Sequence, residues 1–135
     1  DPANHEFMCK LRQEKVERVV ADVPDVEIYG DESGTLLISW GGTFGAIRSA
    51  VDAGRAQGMK VGHVHLRWLN PLPRNLEEVC AQFENRLVAE LNLGQLHKYL
   101  GQAIGLKAES LAKIQGQPFK VSEVLQRITH LAAQV

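Results

Sequence analysis

A few places along this sequence carry residue types and spacings that could do chemistry. Gly41-Gly42-Thr43 stands just ahead of a helical pattern, and glycines before a helix N-terminus expose backbone N–H groups and a positive dipole end to an anion. A dinucleotide fingerprint would need glycines at 41, 43 and 46, where this chain has Thr43 and Ala46, and the Gly-Lys-Ser/Thr ending of a nucleoside-triphosphate loop is absent. The plain structural alternative is a tight turn with Thr43 as N-cap. His63 and His65 are two apart in an extended run and so share a face, a spacing that a two-histidine metal site on a sheet uses. No third ligand stands near in sequence, and the opposite face is Gly62, Val64 and Leu66. The histidine face, with Val61 and Arg67, is therefore expected to meet a helix or a partner surface. Glu90 closes another extended run beside Asn92 and Gln95. A raised pKa there would make it a general acid or base; otherwise it caps the next helix or pairs with Arg67 or Arg86. A Gly-x-Ser-x-Gly elbow or other nucleophile–histidine–acid arrangement does not occur, and no catalytic, cofactor-binding or metal-binding residue is assigned.

The elements that must position these residues follow from hydrophobic spacing. Residues 4–23 place Phe7, Leu11, Val16, Val19, Val20 and Val23 at helical intervals, a lead-in helix ended by Pro24. Val26 to Tyr29 reads as a first strand, and a turn-rich Gly30 to Gly34 leads into a second at Leu36 to Trp40. A connection this short makes the two antiparallel if they pair. A helix over 44–57 buries Phe44, Ile47, Ala50 and Val51 and closes at Gly58. Val61 to Trp68 is the third strand, broken by Pro71 and Pro73. Asn75, as N-cap with Glu78 three residues on, starts a helix that turns Cys80 into a core. Arg86 to Leu91 and Leu111 to Gln115 are the last strands; helices follow over Leu96 to Ile104, closed by Gly105, and over Val121 to Ala132. Strands separated by single helices imply right-handed crossovers and a mostly parallel sheet covered on both faces, with the first strand the antiparallel exception. Ligands of such open sheets bind beyond the carboxyl ends of the strands.

The chain has 135 residues, enough for one domain with a real core. Apolar residues make up 44% and charged residues 23%, and a formal charge of −1 is too balanced to attract nucleic acid or an anionic membrane through its net field. Its apolar runs are far short of the ~20 residues a spanning helix needs, and no basic segment leads into an apolar one. A soluble cytoplasmic chain is expected, with Cys9 and Cys80 as reduced thiols. The opening Asp1-Pro2-Ala3-Asn4, without Met, suggests a piece of a longer polypeptide. Residues 1–24 are taken as lead-in helix and linker, and 25–135 as the α/β domain.

Whole phrases carry a resemblance. They are Ser39-Trp40-Gly41-Gly42-Thr43-Phe44-Gly45-Ala46-Ile47, Arg67-Trp68-Leu69-Asn70-Pro71-Leu72-Pro73, Glu90-Leu91-Asn92-Leu93-Gly94-Gln95-Leu96 and Gln115-Gly116-Gln117-Pro118-Phe119, with Asp1-Pro2-Ala3-Asn4-His5 at the start. In this order they resemble the C-terminal part of the alpha subunit of 2-oxoacid:ferredoxin oxidoreductases, above all the 2-oxoglutarate type, with Gly42 where serine is common. The resemblance implies a transketolase C-terminal-like domain: a three-layer α/β/α sandwich on a five-stranded, mostly parallel sheet with one antiparallel edge strand. It implies a parent enzyme that oxidatively decarboxylates a 2-oxoacid to an acyl-CoA with thiamine diphosphate and Mg²⁺, passing electrons through an iron–sulfur cluster to ferredoxin. Those cofactors would lie outside this chain, which would be inactive alone and would dock against the other domains of the alpha subunit and the beta subunit. Gly41, Gly42, Thr43, Arg67, Trp68, Asn70, Glu90, Asn92 and Gln95 would line that contact. Two other readings compete: a stand-alone small-molecule or nucleotide-binding module using the Gly41-Gly42-Thr43 turn, and a ligand-free scaffold that forms a homodimer when isolated.

Overall fold

Five strands build the sheet, the central three from aliphatic-rich runs, because β-branched and aliphatic side chains fit a pleated surface buried on both faces. They are β1 (Tyr29–Gly30), β2 (Thr35–Trp40), β3 (Val61–Leu66), β4 (Asn85–Glu90) and β5 (Glu109–Ala112), in spatial order β1-β3-β2-β4-β5. β1 runs antiparallel to β3, and the remaining pairs are parallel. The computed structural model describes residue 4 and residues 22–91, 94–113 and 117–133. Most of the lead-in helix expected over 4–23, together with Cys9, Asn92, Gln115 and Gly116, lies outside the described residues.

The four α-helices among the described residues are α1 (Phe44–Ala56), α2 (Leu76–Ala81), α3 (Gln95–Ile104) and α4 (Val121–Ala132). Alternation along each strand sorts the core into two layers. Leu37, Val61, Leu87 and Ala89 face α1 and α4 and bury Ile47, Val51, Val124 and Ile128; Leu36, Ile38, Val64 and Val88 face α2 and α3 and bury Leu76, Cys80, Phe83 and Leu100. The three-layer α/β/α architecture expected from the sequence is the one observed.

The first strand differs from the expected Val26 to Tyr29. The Val26 N–H and carbonyl are both taken by the Asn75 side chain, which accepts at 2.8 Å and donates at 3.0 Å. This draws residues 24–28 toward the start of α2 and leaves only Tyr29 and Gly30 for the sheet. Asn75 accordingly precedes α2 without capping it. β1 also pairs with β3 rather than β2, because the turn after it is tied to the start of β3: Asp31 N–H donates to the Val61 carbonyl, and Thr35 N–H to Lys60, each at 3.0 Å. β5 begins two residues before the expected Leu111, at Glu109.

Candidate functional site

The carboxyl end of β2 turns through a 3₁₀ turn, Gly41–Thr43, into α1. Gly41 takes φ +65°, a left-handed conformation that suits glycine. Thr43 occupies the position before α1, yet its Oγ1 donates back to the Trp40 carbonyl at 3.0 Å and caps no helix N–H. The residue stands at the expected N-cap position while its hydroxyl closes the turn behind it.

Glu90 is fully buried at the end of β4. Gly94, at φ +83°, precedes α3 and has no side chain to cap it. The Glu90 carboxylate does so instead, accepting from the backbone N–H of Leu96 at 2.8 Å and of His97 at 2.9 Å. A carboxylate there meets both the orphan donors of the first turn and the positive end of the helix dipole. Arg86 spends its guanidinium on the carbonyls of Cys80, Phe83 and Lys107. Glu90 is thus a cap, with no ion pair to Arg67 or Arg86 among the described residues, and its burial removes it from the surface a partner could touch. Glu90→Gln is expected to lower stability by about 2 kcal/mol, since the amide nitrogen would face a backbone donor across one lost charge-assisted bond; thermal unfolding of the variant checks it, and an unchanged Tm contradicts the cap.

The polar centre of the domain is elsewhere, on the α1 side of β2 and β3. Parallel pairing sets Ser39 opposite His65 and Leu37 opposite His63, so one face carries a serine and two histidines. Ser39 Oγ lies 2.7 Å from His63 Nε2 and 2.8 Å from His65 Nδ1. From α1, Arg48 Nε donates to His63 Nδ1 at 3.1 Å. The guanidinium is itself held between two rings, 3.6 Å from the centroid of Tyr29 and 4.5 Å from that of Phe44. Phe44 also meets the edge of His65. Burial, then the nearby Arg48 charge, then His65, push the His63 pKa down from 6.5 to about 3. Burial, then Arg67, then Arg48, lower that of His65. Both rings are neutral at pH 7.

This geometry weighs against the two-histidine metal alternative. The lone pair of His63 Nδ1 is engaged by a guanidinium, and a cation beside Arg48 would meet like charge; His65 alone has an outward nitrogen. The histidine face meets a helix, as the strand pattern predicts, and α1 supplies it. Sequence reasoning missed Ser39 and Arg48. The usable signal was a serine one residue from the end of β2, on the face the histidines need, and an arginine four residues into the following helix.

Outside this file of side chains lies a cleft of about 350 Å³ lined by His65, Arg67, Trp68, Phe44, Asp25 and Glu27 among others. Arg67, Asn70 and Gln95 are exposed, as are Gly41 and Gly42. Trp68 and Phe44 leave 45% and 40% of their surfaces in solvent. The described strand-end residues expected at a docking surface therefore remain on the outside, Thr43 and Glu90 excepted. Cys80 is packed in the core with its thiol pushed up by burial to about 11, which makes it a poor nucleophile. Among the described residues no helix is long and apolar enough to cross a membrane.

Comparisons with known proteins place the fold. A solved 2-oxoglutarate:ferredoxin oxidoreductase from Magnetococcus marinus, with 2-oxoglutarate, coenzyme A and succinyl-CoA bound, superposes with TM-score 0.89 at 28% identity, over 98% of this chain and 24% of that one. A split-gene transketolase, an inactive β4 tetramer, shares the fold at TM-score 0.58 and 14% identity, over 79% of this chain and 41% of its own. The 2-oxoglutarate oxidoreductase subunit KorA of Mycobacterium tuberculosis is 40% identical over 127 residues, 92% of this chain and 19% of that subunit. The chain thus spans about a fifth of the length of that relative. Residues 34–124, which include Ser39, Arg48, both strand histidines and Glu90, match pyruvate:ferredoxin oxidoreductase core domain II, and the chain belongs to that family.

Proposed function

We propose that this chain is the C-terminal domain of the alpha subunit of a thiamine diphosphate-dependent 2-oxoglutarate:ferredoxin oxidoreductase, which converts a 2-oxoacid to an acyl-CoA and reduces ferredoxin. The observation that carries the reading is the superposition over 98% of this chain on about a quarter of a 2-oxoglutarate:ferredoxin oxidoreductase chain. Thiamine diphosphate with Mg²⁺, and an iron–sulfur cluster, would be held by other domains of a cytoplasmic assembly; the two cysteines of this chain fall short of the four thiolates such a cluster takes. The domain's own part is to dock against the rest of the alpha subunit and the beta subunit, and alone it would be inactive. The carboxyl ends of its strands supply the means: Arg67 and Trp68, both exposed, are the residue types that concentrate interface energy.

Replacing Arg67 and Trp68 together by Ala in the full enzyme is expected to weaken assembly by a few kcal/mol, a hundredfold or more in dissociation constant. Both side chains lie outside the core, so the domain itself should melt as before. Sedimentation or size-exclusion analysis of the co-expressed subunits reads the outcome, and full assembly at wild-type affinity refutes the docking face.

A further inference from the structure

The file from Arg48 to His65 has a direction. Ser39 and His63 are fully buried, and polar groups taken from water cost free energy unless each is hydrogen-bonded. Here every link is made, and the first link dictates the rest. A guanidinium can only donate, so His63 Nδ1 accepts, and the proton of the neutral ring sits on Nε2. That N–H donates to Ser39 Oγ, which leaves the single hydroxyl hydrogen for His65 Nδ1. Neutral His65 must then carry its proton on Nε2. Reversing the chain is barred, because Arg48 has no lone pair to offer. His65 therefore presents a fixed N–H, and that nitrogen makes no hydrogen bond within the described residues. The ring lines the cleft beside Arg67, which forms no ion pair among the described residues.

We infer that His65 Nε2–H and the Arg67 guanidinium form a binding site for a carboxylate group, in the cleft walled by Phe44 and Trp68. A neutral N–H and a planar fork of N–H groups match the two oxygens of a carboxylate. The aromatic walls suit an apolar body attached to it. Asp25 and Glu27 also line the cleft and oppose a second negative charge, so a monoanionic carboxylate is favoured over a phosphate dianion. The carboxylate comes either from a free small acid or from an Asp or Glu side chain of an adjoining protein segment.

The test uses the chain with ¹⁵N-labelled histidine, followed by NMR. The free chain is expected to show both His63 and His65 as Nε2–H tautomers. Sodium acetate and a capped aspartyl peptide are titrated in parallel, with sodium phosphate and sodium chloride at matched ionic strength. A saturable shift of His65 Nε2 is expected with acetate or the peptide, weakened about tenfold by Arg67→Ala, a substitution at an exposed position that should leave the fold intact. A tighter response to acetate assigns the site to a free acid, and a tighter response to the peptide assigns it to a protein carboxylate. A shift no larger than chloride produces, phosphate binding tighter than both carboxylates, affinity unchanged in Arg67→Ala, or an Nδ1–H tautomer at His65 overturns the inference.

Discussion

Gly62→Ala is expected to cost about 3 kcal/mol or more, among the larger effects a single methyl group can have in this domain. Gly62 lies within β3, paired to Gly30 on one side and Leu36 on the other, so it has strand neighbours at both edges. A Cβ built on it would stand 2.3 Å from the Asp31 carbonyl oxygen and 2.8 Å from two ring atoms of Phe83. Neither neighbour can give way cheaply. The Asp31 carbonyl is backbone in a turn that is tied to Val61 through the Asp31 N–H and through Asp31 Oδ2, which accepts from Val61 N–H at 3.1 Å. Phe83 is packed among Val64, Leu76, Val79 and Cys80, and close-packed interiors transmit an inserted methyl group as strain. Gly58 is the informative contrast: its φ of +88° strains an L-residue, but a Cβ there meets nothing within 4 Å. Gly58→Ala should cost about 1 kcal/mol, from backbone strain alone. Urea unfolding of the two variants ranks them, and a Gly62→Ala midpoint at or above that of Gly58→Ala contradicts the close approach of Asp31 and Phe83.

What was legible in the sequence depended on how local its cause was. The helix stripes at Phe44, Ile47, Ala50 and Val51 and at Leu76, Val79, Cys80 and Phe83 are set by a 3.6-residue period, and both are buried as expected except for Phe44, which turns out over the strand ends and stays 40% exposed. Glu90 was readable as a cap because the residues that need it lie six and seven positions ahead in the same chain segment. The edge strand was readable as antiparallel, but its partner was not. Which strand it joins is decided by Asp31 and Thr35 bonding to Val61 and Lys60, contacts between residues far apart in sequence. Asn75 shows the same limit: its type and position before a helix mark a cap, while a backbone 49 residues away claims its side chain. The polar file was hidden for the same reason. Nothing local to Ser39 announces two histidine partners; only the register of β2 against β3 brings them within reach.

That file also makes the domain sensitive to acid, with a sign that can be worked out. Folded His63 stays neutral down to about pH 3, because protonation would bury a charge and set a second N–H against the Arg48 guanidinium. In the unfolded chain the same ring titrates near 6.5. Between these values the unfolded state holds about one more proton, so the stability present above pH 6.5 falls by about 1.4 kcal/mol for each pH unit lost. From pH 7 to pH 5 this amounts to about 2 kcal/mol. His65, lowered by its burial and by Arg67, acts in the same direction. Asp31, held down chiefly by the Val61 N–H, contributes only at lower pH, below its ordinary value of 3.8. His63→Gln isolates the ring: its amide oxygen can accept from Arg48 and its amide nitrogen can donate to Ser39, yet it does not titrate. The urea midpoint of the wild-type chain should fall faster with acid than that of the variant between pH 7 and pH 5. Parallel curves would mean that His63 gains a proton as easily folded as unfolded. In that case its Nδ1 could not be accepting from Arg48, and the direction of every later link, including the N–H at the cleft, would be lost with it.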